Sequence, residues 1–139
     1  MPHLTIHYTP NVDTDMDALC HVLLDTVLGI RDDEDKAVFP PGGMRVMAFP
    51  AAHFAVGDGK GDYGFVYINL RINPGRSAQI VARTGDRMME AVKQHIEPLF
   101  SRWPMGITLN IEESPASLPG PAQLLYEGFH NNLRAHLAK

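Results

Sequence analysis

The order strand, helix, strand occurs twice along this chain, and this repetition restricts the fold more than any other feature. The first segment, HLTIHY, alternates apolar and polar residues and places Leu4, Ile6 and Tyr8 on one face, as in a half-buried strand. A helical pattern begins at the capping residues DTD and ends near Gly29, and MRVMAF then predicts a second strand. Two strands joined by a helix indicate a βαβ unit with parallel strands.

The second half repeats this order. The segment YGFVYINLRIN predicts the strongest strand, because one of its faces is wholly aliphatic: Val66, Ile68, Leu70 and Ile72. Ser77 is the predicted cap of a long amphipathic helix, and GITLNIEE predicts a fourth strand. We therefore expect one domain over residues 1–139, with related units at 2–54 and 62–113. The glycine-rich segment GDGKGD between the units predicts a hairpin turn.

A tail follows the second unit, over residues 114–139. SPASLPGP is typical of a connector, since proline and glycine interrupt regular structure. The spacing of Leu125, Phe129, Leu133 and Leu137 predicts a short terminal helix with one apolar stripe. The stripe is expected to pack on the body of the protein or on a neighbouring subunit, and the sequence leaves both open.

The charge balance excludes several classes of partner. A net charge of -4 and a pI of about 5.9 argue against binding of nucleic acid or of anionic membranes. There is no signal-peptide pattern and no apolar run of membrane-spanning length, so the expected location is the cytoplasm. The single cysteine, Cys20, lies in the apolar run ALCHVLL and is expected to be a small core residue rather than a nucleophile.

Two motifs suggest ion binding at first reading. DTDMD places acids at alternate positions, but a calcium loop needs glycine where the chain has Ala18 and glutamate where it has Leu24. GDGKGD lacks the following helix and the Ser or Thr of a phosphate-binding loop. The seven histidines are scattered. We therefore expect neither a metal nor a cofactor.

Pro2, Arg45 and Arg76 remain as candidates for chemistry. Methionine is normally removed before a small residue such as proline, which would leave Pro2 with a free secondary amine. An α-amino group has an ordinary pKa of about 8, and cations or burial lower that pKa toward neutrality, where a general base works best. The arginines suit bidentate binding of carboxylates. The alternative is structural, with Pro2 only blunting the start of a strand.

A family resemblance favours the catalytic interpretation. MPHLTIHYTPN, DYGFVYINLRINPGRS and HNNLRAHL resemble the 5-carboxymethyl-2-hydroxymuconate isomerases of the tautomerase superfamily. The resemblance implies an α+β fold in which two fused βαβ units form a four-stranded mixed sheet, with two helices on one face and a C-terminal helix. It also implies a homotrimer.

The same resemblance implies an activity. Pro2 would move a proton between the oxygen and a carbon of an enol acid, giving the keto isomer, while Arg45 and Arg76 bind the carboxylates of a muconate-like dicarboxylate or tricarboxylate from aromatic-compound degradation. The acidic, proline-rich segment 30–43 does not match the family pattern, so a different oxo-acid substrate is one alternative. A non-catalytic binding or signalling protein on the same scaffold is the other.

Overall fold

The computed structural model describes residues 2–115, 124–126 and 132–138. Its regular elements are, in chain order, β1 (His3–Tyr8), α1 (Met16–Leu28), a 3₁₀ turn (Pro41–Gly43), β2 (Arg45–Pro50), β3 (Gly64–Ile72), α2 (Ala78–Phe100), β4 (Met105–Glu113) and α3 (Leu133–Leu137). The strands and the two long helices occur where the sequence predicts them.

The four strands form one mixed sheet in the order β2-β1-β3-β4. Each half pairs its own two strands in parallel, with Leu4 opposite Val46 and Val66 opposite Ile107. The halves join where β1 and β3 run antiparallel. The predicted arrangement of two βαβ units in a mixed sheet is therefore confirmed.

Local caps set the ends of the helices. The Asp15 carboxylate accepts a hydrogen bond from Ala18 N–H at 2.9 Å and so begins α1, which ends at Leu28 with Gly29 as its C-cap. The Ser77 hydroxyl accepts from Ile80 N–H at 3.2 Å and begins α2. These contacts satisfy backbone donors that a helix start leaves without intrahelical partners.

Both helices cover one face of the sheet. The aliphatic residues of β1 and β3 on this face are almost fully buried: Leu4, Ile6, Val66, Ile68, Leu70 and Ile72. They pack with apolar residues of the helices: Leu19, Leu23, Val27, Met88, Val92 and Ile96. Each buried Leu, Ile or Val side chain contributes about 1.5–3 kcal/mol to folding, so this layer is the main source of stability. Cys20 packs at its margin, where burial raises the pKa of the thiol, as expected for a structural cysteine.

The opposite face of the sheet is not covered by the two long helices. On this open face Met47 and Phe49 of β2 are 51% and 45% exposed, and Phe49 stacks on the ring of His7. The β3–β4 side of the same face is polar, because Glu112 accepts hydrogen bonds from Arg71 and Asn69. The open face thus has an apolar side and a polar side.

Two sequence predictions are wrong. GDGKGD is not a hairpin turn, because it leads from β2 to β3 and β1 lies between these strands. Its Gly57 and Gly59 adopt φ of +63° and +72°, which explains the glycines there. The terminal helix is also shorter than predicted: Leu125 is not helical and only Leu133–Leu137 forms a helix, while Phe129 lies outside the described residues.

The described part of the tail packs on its own chain. Helix α3 contacts the Pro41–Gly43 turn, so closely that a Cβ atom on Gly42 would lie 3.3 Å from the Cβ of Arg134. Leu133 and Leu137 remain 37% and 54% exposed. The contact therefore includes a close approach of α3 to Gly42, and it leaves Leu137 about half exposed.

Candidate active site

The strand directions bring Pro2, Arg45 and Arg76 to one end of the sheet. Strands β1 and β2 begin at this end, and β3 and β4 finish there. Pro2 directly precedes β1, Arg45 is the first residue of β2, and Arg76 follows the end of β3. A backbone hydrogen bond from Arg45 N–H to Pro2 C=O, 3.1 Å long, joins two of the three candidates directly.

The ladder between β1 and β3 determines how the backbone is oriented around Pro2. The N–H of Thr9 donates to Phe65 C=O at 3.0 Å, which makes these two a hydrogen-bonded pair. In antiparallel strands such pairs alternate with pairs that exchange no hydrogen bonds, so His3 makes the last bonded pair within β1. Pro2, which is buried and has no N–H within a peptide chain, then falls opposite Ile72 at a position that requires none.

Two hydrogen bonds to the outer strands agree with this alternation. The carbonyl of Pro2 accepts from β2, at Arg45, and the carbonyl of Ile72 accepts from Ser114 N–H at 2.8 Å, just beyond β4. Successive residues of a strand point their backbone groups in opposite directions; continued one residue beyond the end of β3, this alternation directs the backbone of Asn73 toward β1.

The side chain of Arg76 is held by the backbone carbonyl of Asn73. Its Nη1 donates to the Asn73 carbonyl at 3.0 Å, and its Cζ lies 4.6 Å from the centre of the Phe39 ring, a cation–π contact. Burial lowers the pKa of the Arg76 guanidinium, and the charge of Glu113 acts in the opposite direction. The group is still a cation at neutral pH, and its partial desolvation strengthens its attraction for an anion.

Arg45 is folded against the 3₁₀ turn. Its Nη1 donates to the carbonyls of Gly42 and Met44, both at 3.0 Å. A guanidinium carries three further N–H groups beyond those two, so the side chain can bind an anion while it stays in place. It also borders a cavity of about 260 Å³ between α1 and β2, which Cys20 and Leu24 help to line.

The acidic segment 30–43 supplies one part of the site. Asp32 closes its own turn by accepting from Glu34 N–H and Lys36 N–H, and these bonds, that of Lys36 first, lower the pKa of its carboxyl group. Arg83 of α2 anchors the segment, because its Nη2 donates a hydrogen bond to Asp33 Oδ1 at 3.1 Å. The acids therefore shape and anchor the segment, while its Phe39 is 1% exposed and supports Arg76.

Sequence reasoning missed Phe39, Asn73 and Ser114. The only signal for Phe39 was its place before the double proline of FPPGG. Asn73 Oδ1 and Ser114 Oγ are buried and have no hydrogen-bond partner among the described residues.

Within residues 2–115, 124–126 and 132–138, no three His, Cys, Asp or Glu side chains are grouped closely enough to hold a metal ion. None of the helices in this part of the chain is long and apolar enough to span a bilayer.

Known proteins resemble this chain over most of its length. The family model of 5-carboxymethyl-2-hydroxymuconate isomerase matches residues 2–136 of this chain. A crystal structure of a 5-carboxymethyl-2-hydroxymuconate delta-isomerase is 39% identical with a TM-score of 0.87, and the match covers 100% of this chain and 94% of that chain. The 5-carboxymethyl-2-hydroxymuconate isomerase from Deinococcus radiodurans R1 is 27% identical with a TM-score of 0.75, covering 88% of this chain and 90% of that one.

Two further relatives extend the comparison. The 5-carboxymethyl-2-hydroxymuconate Delta-isomerase of Escherichia coli is 25% identical over 115 residues, which are 81% of this chain and 86% of the relative. A fused 4-OT wild-type symmetric trimer is 16% identical with a TM-score of 0.51 over 85% of this chain and 92% of that chain, a likeness of fold alone. The fold and these relatives define an isomerase of the tautomerase superfamily. More narrowly, the chain belongs to the 5-carboxymethyl-2-hydroxymuconate isomerase family.

Proposed function

We propose that this protein converts 5-carboxymethyl-2-hydroxymuconate, or a closely similar muconate-like acid, from its enol to its keto isomer, as a step in the degradation of aromatic compounds. The amine of Pro2 is the proton carrier after removal of Met1. The observation that carries the proposal is the position of Pro2, which is buried at the end of the sheet where Arg45 and Arg76 also lie. Its support is membership of an isomerase family whose model matches this chain from residue 2 to residue 136.

The reaction needs one group that both accepts and returns a proton. The neutral amine of Pro2 takes the proton of the enol hydroxyl, the electron pair of that bond forms the carbonyl, and the carbon–carbon double bond shifts. The resulting ammonium then gives its proton to the carbon end of the conjugated system. No atoms are gained or lost, and the amine returns to its starting state. Burial and neighbouring cations favour the neutral amine, which is the form required to begin.

The arginines match the charge of the substrate. A muconate-like acid carries two or three carboxylates, and a guanidinium binds each of these through paired N–H donors. Arg76 is oriented by Asn73 and Phe39, while Arg45 is oriented by Gly42 and Met44, so both are held in place before a substrate arrives. Side chains held in this way lose less conformational entropy on binding, which favours affinity.

Changes at the amine test the mechanism. Mass spectrometry of the purified chain should show that Met1 is absent. Pro2→Ala keeps a free amine, although a primary one, and should slow turnover without abolishing it. An extra residue before Pro2 converts the amine to an amide and should abolish turnover. A chain that retains Met1 and is fully active would contradict the role of Pro2 while leaving the family assignment intact.

We also propose that the protein is a homotrimer, formed through the open face and the edges of the sheet. Met47 and Phe49 are about half exposed on this face, and β2 and β4 are edge strands that an isolated chain would leave open to pairing. The fused 4-OT relative is a trimer with the same fold. Light scattering at micromolar concentration should give three times the chain mass, and a monomer mass would contradict the proposal.

A further inference from the structure

The proposed mechanism leaves two buried polar atoms at this end of the sheet without a role, Asn73 Oδ1 and Ser114 Oγ. Asn73 Oδ1 is buried and has no hydrogen-bond partner among the described residues, although its backbone carbonyl holds Arg76. Buried amide oxygens are nearly always paired, because losing water without gaining a donor costs stability. The atom therefore requires a donor that the described residues, which begin at Pro2, do not supply.

The strand register indicates where that donor lies. His3 and Arg71 form a hydrogen-bonded pair of the β1–β3 ladder, and Asn73 lies two residues further along the chain, just beyond the end of β3. Because bonded positions recur every second residue, Asn73 is the next one, and it faces the point just before Pro2, on the side of the Pro2 nitrogen. The Cα atoms of such a pair are about 5.5 Å apart, a gap that an asparagine side chain can close to hydrogen-bond length.

We propose that Asn73 is a positioning residue whose side-chain oxygen accepts a hydrogen bond from the Pro2 amine. The inference rests on the proposed role of Pro2 as the base. Within a peptide bond the Pro2 nitrogen has no hydrogen to donate, whereas a free secondary amine has one and its ammonium has two. Removal of Met1 thus creates the missing donor beside the unpaired acceptor, and the bond fixes the direction of the amine lone pair.

The bond has a predictable effect on the Pro2 amine. An acceptor interacts more strongly with a charged ammonium than with a neutral amine, so Asn73 should raise the pKa of Pro2 and partly offset the surrounding cations. Among the described residues, the charged and titratable groups on the strands at this end of the sheet are His3 on β1, Arg45 on β2, Arg71 and Arg76 on and after β3, and Glu112 and Glu113 on β4. The helices add Cys20 and His21 of α1, which line the cavity beside Arg45, and Arg134 of α3, which lies against Gly42.

Titration of Pro2 in the processed protein tests the inference. The apparent pKa is read from ¹⁵N-proline NMR and from the acid limb of the pH profile of kcat/KM. Asn73→Ala removes the acceptor and should lower this pKa by about 0.5–1 unit. Asn73→Asp replaces it with a charged acceptor of the same shape and should raise the pKa above that of the unsubstituted protein.

Ser114→Ala is the matched control. Its hydroxyl is also buried and unpaired among the described residues, but β3 separates it from Pro2, so the pKa should not change. If Asn73→Ala and Asn73→Asp shift the pKa no more than Ser114→Ala does, with melting temperatures showing that all three fold, the inference is wrong. Activity that still depends on the Pro2 amine would then leave the proposed function standing, whereas activity independent of that amine would refute the function itself.

Discussion

Replacing Arg76 with alanine is the sharpest test of the substrate-binding site. The substitution removes the guanidinium that bonds to the Asn73 carbonyl at 3.0 Å and lies 4.6 Å from the Phe39 ring centre. If that guanidinium binds a substrate carboxylate, its loss removes one charge-assisted, bidentate contact. Such a contact contributes about 1.5–3 kcal/mol, so kcat/KM should fall roughly ten- to a hundredfold.

The loss of activity can be separated from a loss of stability. The cation–π contact and one charge-assisted hydrogen bond, both partly screened by solvent, together account for about 1–2 kcal/mol of folding free energy. For a chain of this size that corresponds to a melting temperature lower by roughly 2–8 °C, which leaves the protein folded at 25 °C. Arg76→Lys keeps the charge but loses the planar fork, and should therefore retain intermediate activity.

The assay is the initial rate of isomerisation of 5-carboxymethyl-2-hydroxymuconate, followed by absorbance as the conjugated enol is consumed. Arg102→Ala provides the control, because Arg102 lies just beyond the opposite end of α2, is exposed, and its side chain donates to the nearby Pro98 carbonyl. It should leave kcat/KM unchanged. Unchanged kcat/KM in Arg76→Ala, or an equal fall in Arg102→Ala, would refute the assignment of Arg76.

Two further predictions concern the surroundings of the site. Gly75 has φ of +110°, a conformation that strains any residue with a Cβ atom. Gly75→Ala should therefore displace the turn that carries Arg76 and raise KM, and an unchanged KM would contradict this. Hydrogen bonds from Arg71, and to a smaller extent from Asn69, lower the pKa of the Glu112 carboxyl group. The stability that these bonds contribute is therefore present above the ordinary pKa of glutamate and is lost as the pH falls through the lowered pKa of Glu112. NMR titration should show this pKa rising toward normal in Arg71→Ala, and no change would mean that another group stabilises the carboxylate.

The sequence alone determines the elements of this fold, because their signals are local. Alternation along β3 predicts the buried face of Val66 and its neighbours, and Asp15 and Ser77 cap helices where their oxygens meet N–H groups three residues later. The resemblance to a known family supplies the three candidate residues at the correct positions for one end of the sheet. Whether Pro2, Arg45 and Arg76 act as proposed remains a prediction.

Contacts between segments distant in sequence were decided only by the tertiary structure. No local pattern states that β1 lies between β2 and β3, and so GDGKGD was mistaken for a hairpin turn. The support of Arg76 by Phe39 joins residues on either side of β2, and the orientation of Asn73 depends on the register of β1 against β3. Strand order and register follow from the packing free energy of the whole sheet, which pairs residues far apart in the chain, and a reading confined to neighbouring residues does not contain that information.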